Sequence, residues 1–318
     1  MILKNILNRK INYICPACKF TNSKKSFFCK SVNKHESKIG WTYFKCAKCF
    51  SIFLGNNIND TELAKIHYRF WNNKNKFVFS YIKKTSIKKR MLLNKWKILY
   101  KKKIKQQKKN SLKASLDIGC GDGSFVQYMK TLNYKSYGFD PSTKKLVLPE
   151  KTIRVPNISL SNISTFLPGI KFDILTFHDV FEHLTDHDNI LKNIVPEIMN
   201  KNGKIFIKIP SSENIQFNIL GSYAYEVMAP FHRVLFSQKG LAILISRNGF
   251  KIKSKFNSAN SWGWLMSLFT KFGEFEFYKK LRVIKKFRKL DYEIDELLDN
   301  SMRKLGYDPG IFVCISLK

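Results

Sequence analysis

Short apolar runs alternate with longer stretches of helical periodicity over the last two thirds of the chain. An apolar run bounded by turn residues is typical of a buried strand, and apolar positions three and four apart are typical of an amphipathic helix. The pattern predicts helices at Gly123–Leu132, Asp188–Met199 and Ser237–Arg247. It predicts strands at Ser115–Gly119, Lys135–Asp140, Thr152–Pro156, Phe172–Phe177, Lys204–Ile209, Phe250–Phe256 and Ile311–Leu317. This alternation predicts an α/β fold with a mostly parallel sheet.

Three glycines at alternate positions follow the first predicted strand. After Asp117, the residues Gly119, Gly121 and Gly123 lead into the first helix. Glycine tolerates a positive φ and lets a ligand lie on the backbone, while the N-terminus of the next helix offers unpaired N–H groups. The second strand ends at Asp140, where a ribose diol needs an acceptor. The pattern therefore predicts a nucleotide-type ligand at this loop.

The spacing of the glycines separates two kinds of nucleotide site. A dinucleotide fingerprint needs its third glycine one residue later, where this chain has Ser124. The tighter loop resembles the cofactor loop of class I S-adenosylmethionine-dependent methyltransferases. Further segments follow that family's order and spacing, and they are Tyr137–Ser142, Phe172–Leu184, Asn202–Pro210, Phe236–Leu241 and Gly249–Phe250. The resemblance covers about 115–256 and implies a Rossmann-like, seven-stranded sheet of order 3-2-1-4-5-7-6 with an antiparallel last strand.

The resemblance also implies where S-adenosylmethionine would bind. Asp117 and the backbone of the glycine loop would hold its methionine end, Asp140 the ribose, and Asn162 with its neighbours the adenine. Many relatives have aspartate in place of Asn162, and the alternative is that this residue caps a short helix. The complete candidate set is Asp117, Gly119, Cys120, Gly121, Gly123, Asp140, Pro141, Asn162, Ile163, Phe177 and His178.

Candidate catalytic residues follow the fourth predicted strand. His178 is a candidate cofactor contact or base, and Asp179 is a candidate catalytic carboxylate. Asp179, Glu182 and His183 would share one face of a helix. A similar acidic run in quinone-biosynthesis O-methyltransferases is associated with a divalent cation such as Mg²⁺, although those relatives carry glutamate in place of Asp179. The alternative is that the three side chains cap the helix and position one another.

His232 belongs to a second candidate segment, Tyr225–Arg233. The segment resembles the aromatic-Pro-Phe-His sequence that relatives carry over the acceptor pocket. We predict that His232 is the general base, because the pKa of an imidazole lies near the working pH. The alternative is a structural histidine that bonds its own loop.

Four of the seven cysteines form two Cys-x-x-Cys pairs near the start of the chain. Cys15, Cys18, Cys46 and Cys49 can complete a tetrahedral zinc site, which would stabilise a segment too small to bury its own core. Cys29 and His35 lie between the pairs and are predicted not to be ligands. We expect a zinc-ribbon-like segment over 1–59, with a structural or substrate-docking role because four thiolates leave no open position.

Basic residues are abundant, and the formal net charge is +34. A helical basic connector is predicted over 60–113, followed by the methyltransferase domain over 114–318 with a helical insertion at 257–307. The insertion combines apolar positions with lysines, so it could lie on an anionic membrane surface or dock on protein. The charge itself either serves binding to a polyanion or is compositional background.

These features predict an S-adenosylmethionine-dependent methyltransferase with a small-molecule acceptor, namely a sugar, glycan or lipid-linked molecule. The main alternative is an RNA methyltransferase in which the ribbon and the basic helix grip phosphates. Against RNA, the fourth strand lacks the Asn/Asp-Pro-Pro-aromatic clamp of relatives that hold an amino-bearing base. A third alternative is a non-catalytic cofactor-binding subunit. Without an apolar membrane span or signal peptide, we expect a cytoplasmic location, with peripheral contact at the inner membrane surface.

Overall fold

A computed structural model describes most of the chain. The residues described are 13–30, 40–56, 58–59, 62–63, 66, 93, 96–100, 102–108, 112–256, 263–282, 284–307 and 309–318. Most of the predicted connector, the first residues of the predicted insertion, His35 and the side chain of Cys29 lie outside the described residues.

Strands and helices alternate as the apolar pattern predicts. The strands are β1 (Ser23–Lys30), β2 (Gly40–Cys46), β3 (Ile52–Leu54), β4 (Ala114–Ile118), β5 (Lys135–Asp140), β6 (Lys145–Val147), β7 (Thr152–Arg154), β8 (Phe172–His178), β9 (Met199–Pro210), β10 (Val234–Leu235), β11 (Phe250–Phe256) and β12 (Gly310–Leu317). The helices are α1 (Ser124–Thr131), α2 (Ile163–Phe166), α3 (His187–Asn189), α4 (Val195–Ile198), α5 (Ile215–Leu220), α6 (Gln238–Arg247), α7 (Trp264–Lys271), α8 (Phe275–Leu281) and α9 (Lys285–Lys304). A π-helical segment (Ile190–Ile194) joins α3 to α4, and the described residues 96–100 are also helical.

An eight-stranded sheet forms the centre of the fold, in the order β11-β12-β9-β8-β4-β5-β6-β7. Strands β5, β4, β8 and β9 are parallel, and β12 runs antiparallel to both of its neighbours. The predicted Rossmann-like architecture, strand order and antiparallel last strand are therefore confirmed.

The eighth strand is a departure from the prediction of seven. β6 folds back antiparallel on β5 after the turn that follows Asp140, and β7 pairs with β6 instead of with β5. The additional strand is β6, which is only three residues long and therefore too short for its apolar pattern to separate it from a loop.

The main hydrophobic core lies on the central strands. Every residue of β4 is buried, as expected for a central parallel strand covered on both faces. The carboxyl ends of β4, β5 and β8 meet beside the strand where the order reverses, which is where open α/β sheets bind ligands.

The cysteine-rich segment forms a second, antiparallel sheet of order β1-β2-β3-β10. Its fourth strand, β10, comes from the last third of the chain and pairs with β3 through Val234–Phe53 and Leu235–Ile52. The two parts also share hydrophobic clusters: Tyr43 of β2 packs in one cluster with Phe231 and with Leu235. We call 13–56 the ribbon.

The predicted insertion is helical and lies between β11 and β12. Its helices α7, α8 and α9 are tied together by buried aspartates of α9. Asp295 accepts backbone N–H bonds from Gly263 and Trp264, each 2.9 Å long, and so caps the start of α7. Asp299 accepts the indole N–H of Trp264 at 3.2 Å. Within the described residues, every helix is too short or too polar to cross a membrane.

Candidate active site

The glycine loop joins β4 to α1 through a left-handed backbone path. Gly119, Gly121 and Gly123 all have positive φ, at 74°, 50° and 78°. A Cβ at Gly119 would lie 2.3 Å from a methyl carbon of Val180, so the close approach of that side chain requires glycine. At Gly121 an added Cβ would meet no atom of the described residues within 4 Å. The loop therefore presents its backbone at Gly121 to open space, as a cofactor cradle requires.

Asp140 links the end of β5 to this loop. The Gly121 N–H donates to Asp140 Oδ2 at 3.0 Å. Asp140 Oδ1 accepts from the hydroxyl of Ser142 at 2.5 Å and from the backbone N–H of Thr143 at 2.8 Å. These bonds fix the carboxylate at the rim of the loop, where the sequence predicts a ribose contact.

Asp117 and His178 form a buried hydrogen-bonded chain beneath the loop. Asp117 Oδ1 accepts from the Thr176 hydroxyl at 2.7 Å and from His178 Nδ1 at 3.1 Å. The hydroxyl of the fully buried Tyr100 lies 2.5 Å from His178 Nε2. Because a carboxylate only accepts, Nδ1 donates to Asp117, while Nε2 is bonded to the Tyr100 hydroxyl. Both nitrogens of His178 are engaged, and its imidazole positions Asp117.

Aromatic rings from 96–100 cover this chain of bonds. The Trp96 ring lies 4.7 Å from the His178 ring and 5.0 Å from the Phe125 ring, and its indole N–H donates to the Ser124 hydroxyl at 3.0 Å. Trp96 and Tyr100 are not predicted as site residues from the sequence, because their spacing indicates only the apolar stripe of a helix. Aromatic side chains on the helix that precedes β4 are the signal that could have found them.

Other predicted cofactor residues are used differently. The Asn162 side chain accepts from the Ser159 N–H at 2.8 Å and donates to the Asn157 carbonyl at 2.9 Å, so its amide is engaged in capping its own loop. Ile163 and Phe177 are buried in the main core. Cys120 is also buried, where it packs with Val126 and lies close to Gly138. Pro141, the residue after Asp140, is exposed. Contacts to a cofactor from Cys120 and Phe177 would therefore use the backbone.

A second polar cluster follows β8. Glu182 and His183 lie in a 3₁₀ turn, and the carboxylate of Glu182 is fully buried. His232 Nε2 lies 3.8 Å from Glu182 Oε1, and the rings of His183 and His232 are 4.8 Å apart. One ligand atom from each of the three residues lies within 4.8 Å of the others.

The predicted grouping of Asp179 with Glu182 and His183 on one helical face does not form. Asp179 has a φ of 54° and precedes the 3₁₀ turn. Its exposed carboxylate forms an ion pair with Lys208 at 2.8 Å instead. The left-handed backbone turns Asp179 out of the helical register, and His232 takes its place beside Glu182 and His183.

The ionisable side chains of the second cluster have strongly shifted pKa values. Burial lowers the pKa of His232 to about 3, with a further contribution from nearby His183, and burial raises the pKa of Glu182 well above its usual range. Nδ1 of His183 donates to the Phe231 carbonyl at 2.8 Å and Nδ1 of His232 to the Glu226 carbonyl at 2.6 Å. Burial also lowers the pKa of His183, so each imidazole is neutral with its lone pair on Nε2.

The four paired cysteines meet as predicted. The Sγ atoms of Cys15 and Cys49 are 3.6 Å apart, and those of Cys18 and Cys46 are 3.4 Å apart. All four sulfurs lie within 4.8 Å of one another. Thiolates at about 2.3 Å from one tetrahedral ion would be separated by roughly 3.8 Å, so the geometry fits zinc after a small expansion.

The sheet order, the glycine loop and the carboxylate at the end of β5 define a class I S-adenosylmethionine-dependent methyltransferase. The chain belongs to the family described as "Methyltransferase domain", whose sequence profile matches residues 94–255, about half of the 318-residue chain. The matched region begins just before the helical residues that carry Trp96 and Tyr100. The expected enzyme class and methyl donor are thereby confirmed.

Solved structures with a similar fold include several methyltransferases. Mitomycin 7-O-methyltransferase aligns with a TM-score of 0.43 and 10% identity over 82% of this chain, but over only 59% of its own. A methyltransferase from Archaeoglobus fulgidus has a TM-score of 0.40 and 16% identity, covering 73% of this chain and 93% of its own. The plantazolicin methyltransferase in complex with S-adenosylhomocysteine has a TM-score of 0.37 and 14% identity, covering 81% and 90%. No curated protein matches the chain in sequence.

Proposed function

We propose that the enzyme transfers the methyl group of S-adenosylmethionine to a hydroxyl of a small-molecule acceptor, such as a sugar or a lipid-linked glycan. The observation that carries the proposal is the buried cluster in which His232, just before β10, meets Glu182 and His183 on the turn that follows the cofactor-side strand β8. Methyl transfer is an in-line displacement, so the protein has to align two reactants and remove a proton.

The cofactor would lie on the glycine loop. Its methionine end would contact Asp117 and the backbone of Gly119–Gly123, and its ribose would contact Asp140. Both bonds to Asp117 go to Oδ1, so Oδ2 is the oxygen we assign to the cofactor's amino group. The Trp96 ring would close this end of the site.

His232 is the proposed general base. The Glu226 carbonyl holds the proton on Nδ1 and leaves Nε2 as the acceptor. Its lowered pKa keeps the imidazole neutral, but it also makes the imidazole a weak base. A group that lowers the pKa of the acceptor hydroxyl would therefore assist it.

A divalent cation fits beside His232. Both carboxylate oxygens of buried Glu182 lack a hydrogen-bond partner among the described residues, which is costly for an ionised group. The ligand atoms of Glu182 and His183 lie within 4.8 Å of each other, which compares with roughly 3.3–3.5 Å for two ligands of one tetrahedral ion. We propose that Glu182 and His183 hold the cation, in place of the Asp179 set, while Nε2 of His232 stays free to accept the proton. Such an ion would supply Lewis-acid polarisation of the acceptor oxygen.

The test uses the full chain, labelled S-adenosylmethionine and fractionated cell extract. We expect label in a small-molecule or lipid fraction, and label in RNA instead would contradict the proposal. His232→Ala should keep the cofactor affinity of the wild type in calorimetry but lose turnover by about 10²–10⁴-fold. Wild-type turnover in this variant would exclude His232 as the base.

A lipid-linked acceptor would place the enzyme at a membrane, and we propose that the insertion makes this contact. Phe272, Phe277, Ile284 and Leu290 are all at least half exposed, and exposed lysines of α8 and α9 lie near them in the sequence, namely Lys280, Lys286 and Lys289. This combination suits an anionic lipid surface. At low salt, the chain should sediment together with vesicles that contain anionic lipid. No binding there would contradict the contact.

A further inference from the structure

The segment that carries His232 is built into the ribbon. Strand β10 begins two residues after His232 and is the fourth strand of the ribbon sheet. The N–H of Leu54 donates to the Arg233 carbonyl at 2.8 Å, extending this pairing to the residue next to His232. The backbone of the proposed base is therefore positioned from the amino-terminal part of the chain.

Tyr43 makes the most direct of these contacts. Its ring is fully buried on β2, and its hydroxyl donates to the His232 carbonyl at 2.9 Å. A side chain of the ribbon thus fixes the peptide of the proposed base itself. The Arg233 guanidinium also donates to the Ile58 carbonyl at 2.7 Å, beyond the end of the ribbon.

The other side of the same peptide faces the polar cluster. The Arg233 N–H donates to the Glu182 carbonyl at 2.9 Å, and His183 Nδ1 donates to the Phe231 carbonyl. The three residues 231–233 therefore lie between the ribbon and the turn that carries Glu182 and His183. A shift of β3 would therefore move residues 231–233 and change their contacts with Glu182 and His183.

The cysteines hold the hairpin that makes these contacts. Cys46 ends β2, Cys49 lies just before β3, and the Cys46 N–H donates to the Ser51 carbonyl at 2.9 Å to close the knuckle. Small ribbons of this kind depend on their metal to fold. A zinc ion on the four sulfurs would therefore fix the strand that carries Tyr43.

We infer that the ribbon is a positioning element of the acceptor site, in which Tyr43 holds the His232 peptide and the metal on the four cysteines holds the strand of Tyr43. This inference rests on the proposed role of His232. It assigns the ribbon a part in turnover although its sulfurs touch neither cofactor nor acceptor in the proposed site.

Anchoring of the ribbon is separate from this coupling. Arg247 donates to the carbonyls of Pro16 and Ala17 in the first knuckle and forms a two-bond ion pair with Asp188. This clamp lies at the other cysteine pair and does not involve Tyr43. Changing the Tyr43 hydroxyl therefore tests the positioning contact while the clamp stays in place.

Hydrogen exchange of the zinc-loaded full chain, before and after chelation, measures the coupling without any assay of activity. Removal of the metal should speed exchange at least tenfold in peptides covering 52–54 and 231–235. Peptides covering the glycine loop, 115–123, should keep their rates. Unchanged exchange at 231–235 would overturn the inference, and so would equal acceleration in the glycine loop, which would mean general unfolding.

Tyr43→Phe provides the kinetic test. Loss of one hydrogen bond at the His232 peptide should lower kcat by about fivefold and leave the affinity for S-adenosylmethionine unchanged. Tyr134→Phe is the matched control, because the Tyr134 hydroxyl donates to the Lys105 carbonyl at 3.4 Å in a different hydrophobic cluster. Equal kcat in Tyr43→Phe and Tyr134→Phe would overturn the inference.

The proposed function and the inference can fail separately. Wild-type turnover in His232→Ala would remove the proposed base, but the exchange experiment would still measure whether the metal orders residues 231–235. Both are supported if exchange at 231–235 speeds up on chelation, His232→Ala is inactive, and Tyr43→Phe has a lower kcat.

Discussion

Alanine at Gly119 should destabilise the protein far more than alanine at Gly121. Both glycines have positive φ, a conformation that costs other residues about 1–2 kcal/mol. At Gly119 the new Cβ would also lie 2.3 Å from Val180 Cγ2, and relieving such an overlap costs about 1–3 kcal/mol. We therefore expect Gly119→Ala to cost about 2–5 kcal/mol and Gly121→Ala about 1–2 kcal/mol.

Urea unfolding of the zinc-loaded chain measures both values, and a double-mutant cycle isolates their cause. The coupling energy between Gly119→Ala and Val180→Ala should be about 1–3 kcal/mol, because a smaller side chain at Val180 removes the overlap. Equal destabilisation by the two alanines, or a coupling energy near zero, would refute the reasoning. Gly121→Ala should instead weaken cofactor binding, since its Cβ points into the proposed cradle.

Three further predictions concern the rest of the fold. Burial raises the pKa of Asp295 to about 6, above its unfolded value of about 3.9, so the folded state binds the extra proton between these values. In urea unfolding, the stability of wild type relative to Asp295→Asn should therefore fall by about 1 kcal/mol from pH 5 to pH 7.5, and parallel curves would contradict this. Asp188→Asn should cost about 2 kcal/mol at pH 7, because it removes the charge that pairs with Arg247 and Lys19 in a partly exposed cluster. Burial alone would raise the pKa of Asp188, but hydrogen bonds from these partners lower it. The stability difference between wild type and Asp188→Asn should therefore decline below about pH 4, and a difference that stays constant with pH would contradict this pairing. Metal analysis should find one zinc per chain in the wild type and little in Cys49→Ser, and zinc-free wild type would contradict the four-cysteine site.

The sequence predicts the features that depend on local spacing. The alternate glycines after Asp117 permit the positive φ that a tight turn requires, and their spacing is visible in the sequence itself. The two Cys-x-x-Cys pairs are likewise local, and a tetrahedral metal site fixes how they must meet. The strand order follows from the resemblance to a family whose fold is confirmed by the structure.

Features that depend on distant residues or on a single backbone angle cannot be predicted in this way. The left-handed φ of Asp179 removes it from the predicted helical face, and no neighbouring residue type signals this. His232 meets Glu182 only because β10 completes the ribbon sheet, a pairing between segments far apart in the chain. Trp96 and Tyr100 have ordinary helical spacing, so their place over His178 comes from tertiary packing.

Calorimetric titration with S-adenosylmethionine and its demethylated product tests the central claim most directly. The zinc-loaded wild type should bind either compound once per chain, and Gly121→Ala should bind each at least tenfold more weakly without loss of folded structure. If the folded wild type gives no heat with either compound, or if Gly121→Ala binds as the wild type does, the cofactor does not lie on this loop.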